Sequence, residues 1–283
     1  MLKLKHKKSY KIVLFLAVSL IILALITLFA LNLSIIIKSL NEVEGIWGIV
    51  IIISIRISLL SGMTIFMFNR WFKQEAQFIS DIPHLFGIFL LVLTVGKVFD
   101  LFWDLTYFRF DEEFVLLLLK IRFFIIILTF IPLMYLSIIM FLYSLSLRES
   151  FKKLNNENFK DRITITLLSI ITIIEMLAII MAPNVFILGR ILPFILIPSL
   201  LVITYIFYFA YKHQRLTQVH PLILSIGFLI YMISSILRPV VQAIFGETPR
   251  GLAYYLIVAE TIDLIVFLII FFGLYMKATY SKD

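Results

Sequence analysis

Residues 84–104 read HLFGIFLLVLTVGKVFDLFWD. From Leu85 to Gly96 the only polar side chain is that of Thr94. The segment reaches the ~20 residues needed to cross a hydrocarbon core, and a helix satisfies its own backbone there. Its last third then carries Lys97, Asp100 and Asp104. These follow i, i+3, i+7, so a helix places all three on one face. Charge in hydrocarbon costs at least about 2.5–3.5 kcal/mol per residue at a helix centre, so that face should turn into a bundle and find partners.

The pattern recurs along the chain. Mean hydropathy is +1.09 and only 15% of residues are charged, against roughly 25% in soluble domains. Eight spans are expected: Ile12–Ile37, Ile46–Phe68, His84–Asp104, Phe123–Leu147, Ile163–Met181, Ile191–Tyr211, Leu222–Phe245 and Leu252–Met276. The fourth is the least regular, because apolar character begins at Phe114; its helix is expected to project above the membrane or break near Pro132. A count of seven spans is the alternative. The fold class is an all-α polytopic transmembrane helical bundle. No polar stretch is long enough to form its own core, so neither a soluble catalytic domain nor an output domain is expected.

Sixteen of the 25 Lys/Arg fall before the first span, in every second loop or after the last span, and four in the alternate loops. By the positive-inside rule both termini are cytoplasmic in a cell-membrane protein, with the first span a retained anchor. The pI of 9.5 is then a topology signal that calls for no nucleic acid. The partner it does imply is the lipid bilayer, with its anionic headgroups. The mixed-charge segment 148–162 is the expected docking surface for a cytoplasmic protein. It separates two halves, 1–147 and 163–283. A faint repeat relates them: FGIFLLVL from Phe86 aligns with IGFLIYMI from Ile226, and IRFFIIILTFIPLMYL from Ile121 with TIDLIVFLIIFFGLYM from Thr261. Two parallel four-helix repeats would produce this; so would shared Ile/Leu/Phe composition.

Ten ionisable residues lie within the apolar stretches: Arg56, Lys97, Lys120, Arg122 and Arg238 against Asp100, Asp104, Glu175, Glu260 and Asp263. They cancel. At 1.5 Å per residue all ten fall near mid-depth or on the outer side of it. Lys120 and Arg122 are two apart and point in different directions, whereas Glu260 and Asp263 share a face. Two readings are open. The ten form a network of ion pairs that fixes helix register, or they line a pocket for a polar ligand.

Chemistry is otherwise sparse. Cysteine is absent, which removes thiolate catalysis and Cys-ligated metals. The four His show no metal-ligand spacing, and no phosphate loop, dinucleotide fingerprint or nucleophile elbow appears. No cofactor, metal or catalytic residue is expected. Trp47, Trp71 and Trp103 stand near span ends, as an interfacial belt requires. Three function classes remain: a sensor or receptor-like module with an outward polar cluster, a transporter of a small or lipid-like substrate, and a lipid-modifying membrane enzyme.

Overall fold

A computed structural model describes residues 7–146, 149–245 and 248–279. Among them lie nine α-helices and no strand: α1 (Lys7–Leu31), α2 (Leu33–Glu42), α3 (Ile46–Phe72), α4 (Ile82–Thr106), α5 (Glu112–Ser146), α6 (Glu157–Met181), α7 (Val185–Lys212), α8 (Pro221–Phe245) and α9 (Pro249–Tyr275). All but α2 are long and apolar enough to cross a membrane, which makes this a multi-pass membrane protein of eight spans. The end of the bundle where α1 begins is termed the N-terminal face, and the other end the distal face.

Three boundaries differ from the sequence reading. The first span stops at Leu31 rather than Ile37, and α2 restarts after Asn32. Asn32 leaves helical geometry (φ −110°, ψ 17°) and donates its side-chain amide to the Leu28 carbonyl. The short α2 buries Ile36 and Ser39 against the distal end of the bundle. An ion pair between its Glu42 and Arg109 holds it there. The fourth span starts at Glu112 rather than Phe123 and runs unbroken through Pro132 for 35 residues. That is about 52 Å of helix, so it projects beyond the hydrocarbon. Finally, α6 begins at Glu157, inside the segment expected to link the halves. A 3-10 turn over Glu149–Asn155 precedes it, and Leu154 of that turn is buried.

Six helices close a ring: α3 packs on α4, α4 on α5, α5 on α7, α7 on α8, α8 on α9, and α9 back on α3. The units α3–α4–α5 and α7–α8–α9 hold equivalent places in it. The outlying helices break the equivalence, since α6 rests on α5 and α7 whereas α1 rests on α2 and α4. Small residues permit the tightest approaches. A Cβ at Gly273 would come within 3.0 Å of the Leu224 backbone nitrogen, and one at Gly48 within 2.6 Å of Ile257.

The N-terminal half of the ring is filled with aromatic side chains. Phe86, Phe89, Phe207, Phe228 and Phe267 are all buried. Phe207 and Phe228 stack with centroids 5.9 Å apart, and Phe86 and Phe89 pack against both rings or their neighbours. Trp71 joins this end of the molecule and is fully buried, and Trp103 is nearly so. The belt reading therefore fails for both. Trp71 instead donates its indole N–H to the Phe78 carbonyl and Asp81, and packs on Tyr10 and His84. Only Trp47 of the three is exposed.

Candidate functional site

Above the phenylalanine layer the ring interior changes character. Arg56 stands ten residues into α3, Lys97 and Asp100 lie in the distal half of α4, and Arg122 is ten residues into α5. Arg238 comes late in α8, and Glu260 and Asp263 come near the middle of α9. Because α4 and α8 rise toward the distal face while α3, α5 and α9 descend from it, these positions meet at one level. Each side chain is held by helices packed on both sides, as the expense of intramembrane charge requires.

The contacts form a line in which the charges alternate. Arg122 Nε donates to Asp100 Oδ1 at 2.6 Å. Asp100 Oδ2 is 2.7 Å from Lys97 Nζ, and Lys97 donates to Glu260 Oε1 at 2.8 Å. Glu260 Oε2 accepts from Arg56 Nη1 at 2.5 Å. The same Nη1 lies 2.7 Å from Asp263 Oδ2, which also accepts from Arg238 Nη2. Four helices besides α9 are thereby stitched to one another through it or beside it. Arg56 and Asp263 have fully buried side chains. The Arg56 guanidinium sits over the Phe267 ring, 5.1 Å from its centroid.

Both ends of the line are arginines. Among the described residues Arg122 and Arg238 each have one acidic ion-pair partner, and their side chains are 26% and 27% exposed, against 0–10% for the five groups between them. Among the described residues, neither terminal nitrogen of Arg122 has a hydrogen-bond partner. The two arginines line one cavity of about 270 Å³. Lys97 and Asp100 form part of its charged wall; Tyr231, Ser235, Gln242 and Tyr255 add polar atoms. Much of the remaining lining is apolar and comes from α5 and α7: Ile125, Ile126, Phe130, Leu192 and Leu196. Gly189 also lines the cavity, and a Cβ there would meet nothing within 4 Å.

Seven of the ten sequence candidates thus make one connected line: Arg56, Lys97, Asp100, Arg122, Arg238, Glu260 and Asp263. Asp104 lies one turn beyond Asp100, within the electrostatic reach of Arg122, but forms no ion pair among the described residues. Two candidates stand apart. Lys120 turns outward and donates to the Ile180 carbonyl at 2.9 Å, capping the end of α6 where carbonyls lack helical donors. Glu175 is half-buried on α6, with no ion-pair partner among the described residues.

Sequence reasoning missed the uncharged polar residues. Ser235, Arg238 and Gln242 follow i, i+3, i+7, so one helical face was legible there. Tyr231 extends it by one turn. Tyr255 had no such signal. Among the described residues no group of three or more His, Asp or Glu is arranged to hold a metal ion. The chain matches no protein-family model, no curated protein and no solved structure.

Proposed function

We propose that this membrane protein is a receptor-like binding module whose cavity takes up a ligand carrying an anionic group. One observation carries the reading: the alternating line of charges is open at both ends, and both ends are arginines facing the same cavity. Guanidinium groups with free N–H donors are suited to carboxylate and phosphate oxygens. An anion lying between Arg122 and Arg238 would turn the open line into a closed ring of alternating charge. The site would then report occupancy by drawing α5 and α8 together, since Arg122 is on one and Arg238 on the other.

Two features favour binding over conduction or catalysis. The phenylalanine layer leaves no ionisable path toward the N-terminal face. Asp100 and Glu260 each accept from two cations, so neither is free to act as a base. In this reading the outer side of the membrane is the distal face. A separate cytoplasmic protein reads the state of the bundle at segment 148–162, which contains the N-terminal end of α6.

The test is ligand-induced stabilisation in nanodiscs. A ligand at a hundred times its Kd stabilises by about 2.7 kcal/mol. Phosphate or small carboxylates should raise the unfolding midpoint of the wild type, and Arg122→Gln should abolish the rise while the protein stays folded. Equal stabilisation of wild type and Arg122→Gln would refute the assignment.

A further inference from the structure

We infer that the ligand of this cavity is a membrane lipid with a phosphate headgroup, and that its hydrocarbon chain lies in a crevice between α8 and α9. The inference rests on the anion-binding reading above and adds the substrate class and its route of entry.

A second cavity, of about 230 Å³, runs between α8 and α9 on the side of α8 turned away from the ring interior. Its walls are apolar, with Ile230, Ile233 and Leu237 from α8 facing Ala259 and Ile262 from α9. Ile233, Leu237 and Ile262 are exposed at the surface of two membrane-spanning helices, so the crevice opens on hydrocarbon. Arg238 and Tyr255 line both this crevice and the charged cavity. The polar site and the lipid phase are therefore separated by the two side chains that an anionic headgroup would engage. Pro239 follows Arg238 and lacks the N–H that would bond the Ser235 carbonyl, which loosens α8 at this point.

The composition of the charged cavity points the same way. A small hydrated anion would satisfy Arg122 and Arg238 but leave Ile125, Ile126, Leu192 and Leu196 against water. An amphiphile satisfies both, with its headgroup oxygens on the arginines and the carbons next to the headgroup on that apolar wall, while the rest of its chain runs out into the crevice. A headgroup entering sideways also avoids dragging its chain through water, which entry from the distal face would require.

The experiment uses the whole protein in phosphatidylcholine nanodiscs. The lipid probe is phosphatidic acid with a photoreactive group in one acyl chain, and the soluble probe is glycerol 3-phosphate, read by thermal stabilisation. Cross-links should concentrate on residues 230–241 and 259–262 and fall at least tenfold in Arg238→Gln. Ile233→Trp fills the crevice from an exposed position, and Ile262→Trp does so from the facing wall. Each should cut cross-linking several-fold while leaving stabilisation by glycerol 3-phosphate unchanged. If glycerol 3-phosphate binds but cross-links spread over the lipid-facing surface and ignore both Trp variants, the lipid assignment is wrong and the anion site stands. If neither probe responds to Arg238→Gln, the anion site itself is wrong.

Discussion

Arg56→Met removes the centre of the charge line and leaves its ends in place. The guanidinium of Arg56 is shared between Glu260 at 2.5 Å and Asp263 at 2.7 Å. Methionine fills much of the volume above Phe267 but carries no charge. Glu260 then keeps only Lys97, and Asp263 keeps only Arg238. Each carboxylate has lost a cation that no other group replaces. Breaking a buried pair in this way costs about 3–5 kcal/mol. A chain unfolded within a membrane also finds polar partners, so the lower end, about 3 kcal/mol, is the expected loss. Adding Glu260→Gln returns the line to its parent net charge, because Lys97, Arg122 and Arg238 then stand against Asp100 and Asp263. The double variant should therefore be more stable than the two single losses added together, with a coupling of at least about 1 kcal/mol. Unfolding by sodium dodecyl sulfate in mixed micelles, followed by circular dichroism, measures all four proteins. A coupling below about 0.5 kcal/mol, or an Arg56→Met protein as stable as the parent, would show that the line of contacts does not carry the energy assigned to it.

Four further outcomes are expected. Gly273→Leu should separate α8 from α9 and lose roughly 1–3 kcal/mol, whereas Gly189→Leu should fold normally because its Cβ meets only open space; the same unfolding assay compares them. Lys120→Met should cost less than about 1 kcal/mol and act locally, speeding amide exchange at the end of α6 without altering anion binding. Tyr10→Phe removes the hydroxyl that lies 2.6 Å from His84 Nε2; with few other contacts holding α1, limited proteolysis should release α1 faster than in the parent. The chain has no cysteine, so single cysteines report topology directly: Thr217→Cys should label only from the cytoplasm and Pro183→Cys only from outside, and the reverse pattern would invert the orientation.

The spans were legible because hydrocarbon imposes length and composition on each helix separately, and the sequence records both. The charged faces were legible for the same reason: Lys97 and Asp100, or Glu260 and Asp263, share a face by spacing alone. Which charges meet is a matter of helix packing, and there spacing was silent. Nothing in the sequence separates Glu175 from Glu260, yet one lies on the peripheral α6 and the other at the centre of the ring. The separation of Lys120 from Arg122 was foreseeable in direction but not in destination, since the Ile180 carbonyl is a backbone group sixty residues away. The cavity itself was invisible, because part of its wall comes from α7, where Leu192 and Leu196 look like any lipid-facing residues. The break at Asn32 was hidden within a continuous apolar run.

The phenylalanine layer also has an electrical consequence. A polar cavity reaching toward mid-depth thins the insulation of a bilayer, and the packed rings of Phe86, Phe89, Phe207 and Phe228 restore it. Phe86 precedes Lys97 by eleven residues, or about 16 Å of helix. A transmembrane voltage falls mainly across the part of the path that excludes ions, at about 2.3 kcal/mol per elementary charge per 100 mV for a full crossing. With the cavity wetted from the distal face, that part is the aromatic layer, and the charge line stands at its edge, where the remaining field is weak. An anion arriving between Arg122 and Arg238 would cross little of the voltage, so its affinity should be nearly the same in an energised and a de-energised membrane.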